Sequence, residues 1–145
     1  MTEIKDRQSI IQKYLINLSN YTVIKKIKSG RFGVVYHVRD KKTNQEYAAK
    51  VLTNGDDEIN KTMINREIGI MMRIQHPTII RFYGYSLKDF DNQDNVTFLM
   101  DIAKNGSLSS YLQNVKKGLG NLMYDNTTRQ KILIGISYGM MHLHR

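Results

Sequence analysis

The stretch that decides the fold is Glu46-Tyr47-Ala48-Ala49-Lys50-Val51-Leu52, a strand-like run with one cation near its end. Lys50 shares a strand face with Ala48, because alternate residues of a strand point the same way. A small residue two positions from a lysine predicts a surface that receives a flat ligand, with the ammonium at the ligand's anionic end. The alternative is an ordinary surface lysine whose stem lies along the strand.

A glycine-punctuated hairpin precedes this strand, with the sequence Ser29-Gly30-Arg31-Phe32-Gly33-Val34-Val35-Tyr36. Gly30 and Gly33 allow bare backbone amides to approach a ligand, which suits a phosphate. A single Gly-x-x-Gly is a weak signal, and a plain glycine hairpin is the alternative.

A helix is predicted over Ile59–Ile74, and Glu67 lies on its apolar stripe between Met63 and Met71. A carboxylate among apolar residues needs a cation, because an unpaired buried charge is costly. Lys50 on the preceding strand is the most economical partner. The alternative is that the stripe is wide and that Glu67 lies at its solvent edge.

The alternation of apolar and polar residues predicts a five-stranded antiparallel sheet with this helix packed on it, an α+β fold. Pro77, the only proline, is predicted to end the helix. The predicted strands are Tyr21–Ile27, Val34–Asp40, Glu46–Leu52, Ile79–Tyr85 and Val96–Asp101.

Two further helices are predicted after the sheet. Ser107 is expected to cap the first, Leu108–Val115, and Thr127 with Gln130 has the spacing of a capping box for the second. The second helix is apolar over most of its circumference, so it needs protein on several sides.

The composition favours an ordinary globular domain, or part of one, in 145 residues. The absence of cysteine excludes disulfides and thiolate metal sites. The net charge of +9 suggests nucleic acid, but the basic residues are scattered in pairs and triplets, so solvated faces are the favoured interpretation and nucleic-acid binding is disfavoured. No apolar run approaches about 18 residues and no secretory leader is recognisable, which predicts a cytoplasmic chain without a membrane span.

As an ordered set, these segments resemble the N-terminal half of a eukaryotic protein kinase domain. Two short segments, Gly84-Tyr85-Ser86 and Ile136-Ser137-Tyr138-Gly139-Met140, are most similar to the tyrosine-kinase-like branch of serine/threonine kinases. The matching motifs are Gly30–Val35 for the glycine-rich loop, Tyr47–Lys50 for the lysine strand, Arg66-Glu67 for the regulatory helix, His76-Pro77 for the turn after it, Phe98–Asp101 for the strand into the hinge and Asn105–Leu108 for the segment that leaves it.

The resemblance implies an N-terminal arm at residues 1–20 and a partial kinase domain at 21–145. Within that domain it implies an N-lobe at 21–100, a hinge at 101–106 and the start of a C-lobe at 107–145. The family's catalytic His-Arg-Asp loop and Asp-Phe-Gly segment are expected beyond Arg145, and so are the ligands of Mg²⁺.

The resemblance also implies a role for individual residues. Lys50 would hold the α- and β-phosphates of ATP, and Glu67 would hold Lys50. Met100 would be the gatekeeper, and Met71 and Phe82 would occupy the hydrophobic spine. The expected nucleotide-binding residues are Ile27, Gly30, Phe32, Gly33, Val35, Ala48, Lys50, Met100, Asp101 and Ala103.

One position departs from the family pattern. Lys28 replaces the first glycine of the loop, where its side chain would crowd the ribose or add positive charge. His142 and His144 do not converge on a metal, because two helical residues two apart do not face each other, so a packing or capping role is expected for them.

The implied activity is transfer of the ATP γ-phosphoryl group to Ser, Thr or Tyr hydroxyls of an unidentified protein substrate, with the 145 residues alone inactive. The alternative is a truncated, pseudokinase-like regulatory module that binds partners without catalysis.

Overall fold

The computed structural model describes residues 12–31, 33–52, 58–119 and 124–144. The chain divides into two compact units, one formed by Met1–Gln75 with Arg81–Ile102 and the other by His76–Ile80 with Ala103–Arg145. Phe32 and residues 1–11 of the predicted arm lie outside the described residues, and so does the side chain of Met63.

The first unit is built on a five-stranded antiparallel sheet with the strand order β1-β2-β3-β5-β4. One helix, α1, follows β3 in the chain, so the predicted α+β class is confirmed. The elements are β1 Tyr21–Gly30, β2 Gly33–Asp40, β3 Glu46–Val51, α1 Glu58–Met71, β4 Phe82–Ser86 and β5 Thr97–Met100.

Two predicted strand boundaries in this unit differ from the structure by three residues, and the other strand boundaries agree within one residue. β1 continues past Ile27 because Gly30 still pairs with Gly33 across the hairpin. β4 begins at Phe82 rather than Ile79, because Ile79 donates its N–H to the carbonyl of His76 in a turn.

Helix α1 ends before the predicted residue. It stops at Met71, well before Pro77, because Arg73 donates its N–H to the carbonyl of Ile70 and so tightens the last turn. The apolar stripe of α1 is also centred on a different residue from the one that the sequence predicted. Ile68 is 4% exposed, whereas the Glu67 side chain is 47% exposed, so the alternative that placed Glu67 at the solvent edge is correct.

The core of the first unit consists of two clusters. The first joins Ile68 of α1 to the sheet, and Met71 packs against its edge. The second is centred on Val38, Ala49 and Leu99, with aromatic rings packed around it. The buried members of the first cluster are Leu52, Ile68, Phe82, Tyr85, Val96 and Phe98.

The residues before β1 extend the sheet at its β4 edge. Tyr85 donates its N–H to the carbonyl of Tyr14 (2.8 Å), and Ile16 donates to the carbonyl of Tyr85 (2.9 Å). A Cβ on Gly84 would lie 2.5 Å from the Tyr14 carbonyl oxygen, so this close approach requires glycine. The described end of the predicted arm is therefore an integral part of the first unit, followed by a 3₁₀ helix at Leu18–Asn20.

The second unit contains helices α2 (Leu108–Lys116) and α3 (Asn126–Leu143). Ser107 accepts the N–H of Ser110 (3.1 Å), so the predicted cap of α2 is confirmed.

The predicted capping box of α3 is wrong. Asp125 is the N-cap and accepts the N–H of Thr128 at 2.7 Å, which leaves Thr127 inside the helix. A carboxylate at that position accepts an orphan N–H and lies at the positive end of the helix dipole, so it outcompetes a threonine two residues later.

Helix α3 presents apolar side chains to solvent within the second unit. Side chains about half exposed occur on several sides of it, in agreement with the nearly all-round apolar pattern. They are Leu133, Ile134, Ile136, Tyr138, Met140, Met141 and Leu143, at 47–54%. No helix among the described residues has the length and apolar character needed to cross a membrane.

Candidate functional site

Lys50 and Glu67 meet at the surface of the first unit. The Lys50 Nζ lies 3.9 Å from the Glu67 Oε1, at the outer limit of an ion pair. The two side chains are 29% and 47% exposed, so water reaches both charges. The ammonium is therefore held near one carboxylate without being saturated by it, and it remains able to bind a second anion.

The strand register brings three of the other expected residues, Val35, Ala48 and Met100, to the same face as Lys50. Lys50 lies opposite Val35 on β2 and opposite Phe98 on β5, and Ala48 lies opposite Met100. Directly opposed residues in an antiparallel pair share a face. The lysine is thus next to an apolar patch made of a half-buried valine, an alanine that is 6% exposed and the methionine expected to be the gatekeeper.

The glycine hairpin joins β1 to β2, and Gly30 pairs with Gly33 across it. Gly33 has a φ of +125°, which side chains rarely adopt, and a Cβ there would overlap the carbonyl of Val51 on β3. At Gly30 no described atom beyond the chain neighbours lies within 4 Å of an added Cβ. Gly33 is therefore required by the packing of the hairpin on β3, whereas the backbone at Gly30 is open.

Two residues of β1 were expected near the ligand. Lys28 lies opposite Val35, so it belongs to the cross-strand row that contains Lys50. Ile27 lies at a register shift between Lys26 and Lys28 and is 48% exposed. Lys28 and Lys50 are therefore two cations of one cross-strand row, and Ile27 lies outside the paired positions.

A cluster of side chains surrounds Asp101, the first residue of the expected hinge. Tyr83 donates its hydroxyl to the Asp101 Oδ1 at 2.8 Å, and Arg81 donates its backbone N–H to the Oδ2 at 3.3 Å. The Asp101 N–H in turn donates to the Arg81 carbonyl at 2.9 Å. The hydrogen bond to Asp101, followed by burial, raises the pKa of Tyr83.

Tyr83 was not identified from the sequence. Its contact with Asp101 joins residues from separate segments of the chain, so no local pattern marks it. Ala103, the other expected hinge residue, belongs to the second unit, where its carbonyl accepts the N–H of Gly106 at 3.0 Å.

A second charged group lies on the same sheet face. The His37 Nε2 is 3.2 Å from the Glu46 Oε2, and Arg39 donates to the Glu46 Oε1 at 2.9 Å. His37 lies opposite Ala48, and this pair is next to the pair of Val35 and Lys50 on the same sheet face. The histidine nitrogen is near the carboxylate without hydrogen-bond alignment.

The C-terminal histidines have packing and capping roles, as the sequence predicted. The His142 ring stacks on the His76 ring with centroids 4.8 Å apart, and the His144 N–H caps α3 by donating to the Met140 carbonyl. Within the part of the chain that the structure describes, no group of three or more His, Cys, Asp or Glu residues could hold a metal ion.

Comparison with known proteins agrees with the fold. Residues 21–145 match the family model of the protein kinase domain. The serine/threonine-protein kinase Aurora-1 of Arabidopsis thaliana is 34% identical over 101 residues, which cover 68% of this chain and 33% of that protein.

Two further relatives are also serine/threonine-protein kinases. Nek11 of Homo sapiens is 30% identical over 132 residues, covering 86% of this chain and 19% of that protein. PLK4 of Nematostella vectensis is 28% identical over 133 residues, covering 88% of this chain and 12% of that protein. The chain thus spans a third or less of these relatives, and its assignment to the tyrosine-kinase-like branch stays a prediction.

Proposed function

The chain belongs to the protein kinase family, and on that premise we propose that its first unit binds the phosphates and the base of ATP. The observation that carries the proposal is the 3.9 Å approach of Lys50 to Glu67 on the face that also holds Val35 and Ala48. Lys50 is the cation for the α- and β-phosphates, and Glu67 limits the directions in which its ammonium points.

The residues of this face fit a nucleotide chemically. Val35 and Ala48 offer an apolar surface for adenine, with Met100 behind it and Asp101 at its end. Lys28 and Lys50 supply positive charge at the end nearest the glycine hairpin, which includes Gly33. The flat apolar base and the anionic phosphates of ATP thus correspond to the two ends of one sheet face.

We further propose that the kinase organisation follows the boundaries derived from the sequence, with a lobe at 21–100, a hinge at 101–106 and a second lobe from 107. Protein kinases generally use ATP with Mg²⁺, which neutralises phosphate charge when bound. No magnesium ligand is proposed among the described residues, in which no group of three or more His, Cys, Asp or Glu side chains could hold a metal ion.

The reaction proposed for the protein is transfer of the γ-phosphoryl group of ATP to serine or threonine hydroxyls of a protein substrate, with tyrosine as a second acceptor class. In the family the general base lies in a His-Arg-Asp loop and a metal ligand in an Asp-Phe-Gly segment, and the 145 residues contain neither. The isolated 145-residue polypeptide is therefore expected to bind nucleotide without transferring phosphate.

Binding of a fluorescent ATP analogue to the purified polypeptide tests the proposal. Lys50→Met is expected to weaken binding by about 10- to 100-fold, because it removes a charge-assisted contact. Lys26→Met is the matched control, since Lys26 lies opposite Tyr36 and so belongs to the other sheet face. Equal effects of the two substitutions would overturn the proposal.

The alternative function is a regulatory module that binds protein partners without catalysis. It does not require nucleotide binding, so saturable binding that Lys50→Met weakens favours the nucleotide function over it. A parallel assay with radiolabelled ATP checks the expected lack of transfer, and incorporation abolished by Lys50→Met would show that the polypeptide is itself an active kinase.

A further inference from the structure

Strand β4 contains an irregularity at Tyr83. Phe82 pairs with Met100 and Gly84 pairs with Leu99, so Tyr83 is the extra residue between two consecutive residues of β5. A bulge of this kind bends the strand and changes the direction of a side chain. Phe82 belongs to the first core cluster, whereas Tyr83 packs at the edge of the second.

The Tyr83 hydroxyl reaches the residue that follows β5. Both carboxylate oxygens of Asp101 accept hydrogen bonds, one from this hydroxyl at 2.8 Å and one from the Arg81 N–H at 3.3 Å. The backbone N–H of Asp101 is also bonded, to the Arg81 carbonyl. Asp101 is therefore held through its side chain and its backbone together.

The Tyr83 ring is itself held on two sides. The Arg81 guanidinium lies over the ring, 5.2 Å from its centroid, and the Tyr47 ring packs against it edge-on at 5.0 Å. A cation over an aromatic face and an edge-to-face ring pair are both favourable and directional. The hydroxyl is therefore presented to Asp101 from a ring with little freedom to rotate.

We propose that Tyr83 is a positioning residue for adenine recognition, which acts by fixing Asp101 so that its backbone carbonyl faces the 6-amino group of the base. This inference rests on the proposed function, and it adds the origin of specificity for the base. A pre-positioned acceptor gains affinity because the cost of ordering it is already met in the free protein.

The test compares three probes by titration calorimetry on the 145-residue chain: ATP, the triphosphate of purine riboside, which lacks the 6-amino group, and inorganic tripolyphosphate. Wild type is expected to prefer ATP to the purine analogue by about 10-fold, as one hydrogen bond implies. Tyr83→Phe is expected to reduce this preference to about 2-fold while tripolyphosphate binding is unchanged.

Two variants make the assignment specific. Tyr21→Phe removes the same hydroxyl group from a ring that contacts Tyr47 and not Asp101, so it is expected to keep the wild-type preference. Asp101→Ala removes both carboxylate oxygens that accept hydrogen bonds. Adding Tyr83→Phe to it is expected to cause no further loss of the preference for ATP, because the two residues act as one unit. Additive losses in the double variant would contradict the mechanism.

Amide hydrogen exchange at Asp101, measured without nucleotide, separates this inference from the proposed function. Tyr83→Phe is expected to speed exchange of that amide about 5- to 10-fold, and Tyr21→Phe to leave it unchanged. If wild type binds ATP but Tyr83→Phe alters neither the preference nor the exchange, Tyr83 is not a positioning residue. If wild type binds none of the probes, the nucleotide function fails. If, in addition, Tyr83→Phe leaves the exchange of the Asp101 amide unchanged, then Tyr83 does not fix Asp101 either.

Discussion

Lys50 on β3 and Glu67 on α1 stand 3.9 Å apart, with 29% and 47% of their side-chain surfaces exposed. A pair this open to solvent contributes little to folding, since exposed ion pairs are worth about 0–1 kcal/mol. Its location beside an apolar sheet face is the basis for the ligand-binding role that we propose for it.

The first prediction separates these two contributions. Glu67→Gln is expected to change the free energy of unfolding by less than about 1 kcal/mol and to weaken binding of the ATP analogue by about 3- to 10-fold, because Lys50 loses its orienting partner. Urea unfolding and fluorescence titration measure the two quantities. A loss of several kcal/mol with unchanged binding would show that the pair is structural.

The second prediction concerns Lys28, the residue that replaces the first loop glycine. It shares a cross-strand row with Val35 and Lys50, so its charge is expected to favour phosphate. Lys28→Met is expected to weaken ATP-analogue binding by about 3-fold at low salt, with a smaller effect at high salt, because exposed charges are screened.

The neighbouring Lys26 is the control, since its partner Tyr36 lies in a different cross-strand row. Lys28→Gly distinguishes charge from bulk. If that variant binds the analogue more tightly than wild type, crowding by the Lys28 side chain outweighs its charge.

The third prediction compares the two loop glycines. Gly33→Ala is expected to destabilise the protein by about 2–4 kcal/mol, because its φ of +125° is strained for a side chain and the Cβ would meet the Val51 backbone. Gly30→Ala meets no such obstacle and is expected to cost about 1 kcal/mol or less. Denaturant unfolding gives both values, and similar losses at the two positions would contradict this account.

The fourth prediction concerns Asp89, which organises the loop between β4 and β5. Burial alone would raise the pKa of its carboxyl, but hydrogen bonds from the Asn95 amide and from the N–H groups of Gln93 and Asp91 lower it overall. Asp89→Ala is expected to reduce the free energy of unfolding by about 1 kcal/mol after allowance for solvent screening.

The pH dependence of this effect has a definite sign. Because the folded-state pKa of Asp89 lies below its ordinary value of 3.8, its contribution is complete above that value and is lost as the pH falls through the folded-state pKa. The difference between wild type and Asp89→Ala is therefore expected to be constant near neutrality and to shrink in acid. Asp94→Ala is the control, since that side chain is 92% exposed, and an equal loss there would rule out the specific role of Asp89.

The sequence by itself determined the order and type of the elements and the α+β class. These features follow from local periodicity, because a period of two or of 3.6 assigns each residue to a face regardless of what packs against it. The position of Lys50 on the same strand face as Ala48 follows from this periodicity. The cap at Ser107 follows from the local sequence as well, because its side chain accepts a hydrogen bond from a residue three positions later.

Tertiary structure decided where each face meets the core and where the strands lose register. Ile68, not Glu67, faces the sheet, because helical periodicity does not distinguish adjacent residues at the edge of a wide stripe. The bulge at Tyr83 depends on pairing between β4 and β5. The contact of Tyr14 with Gly84 joins residues that are distant in the chain. Such features arise from hydrogen bonds and packing between separate segments, so no local pattern contains them.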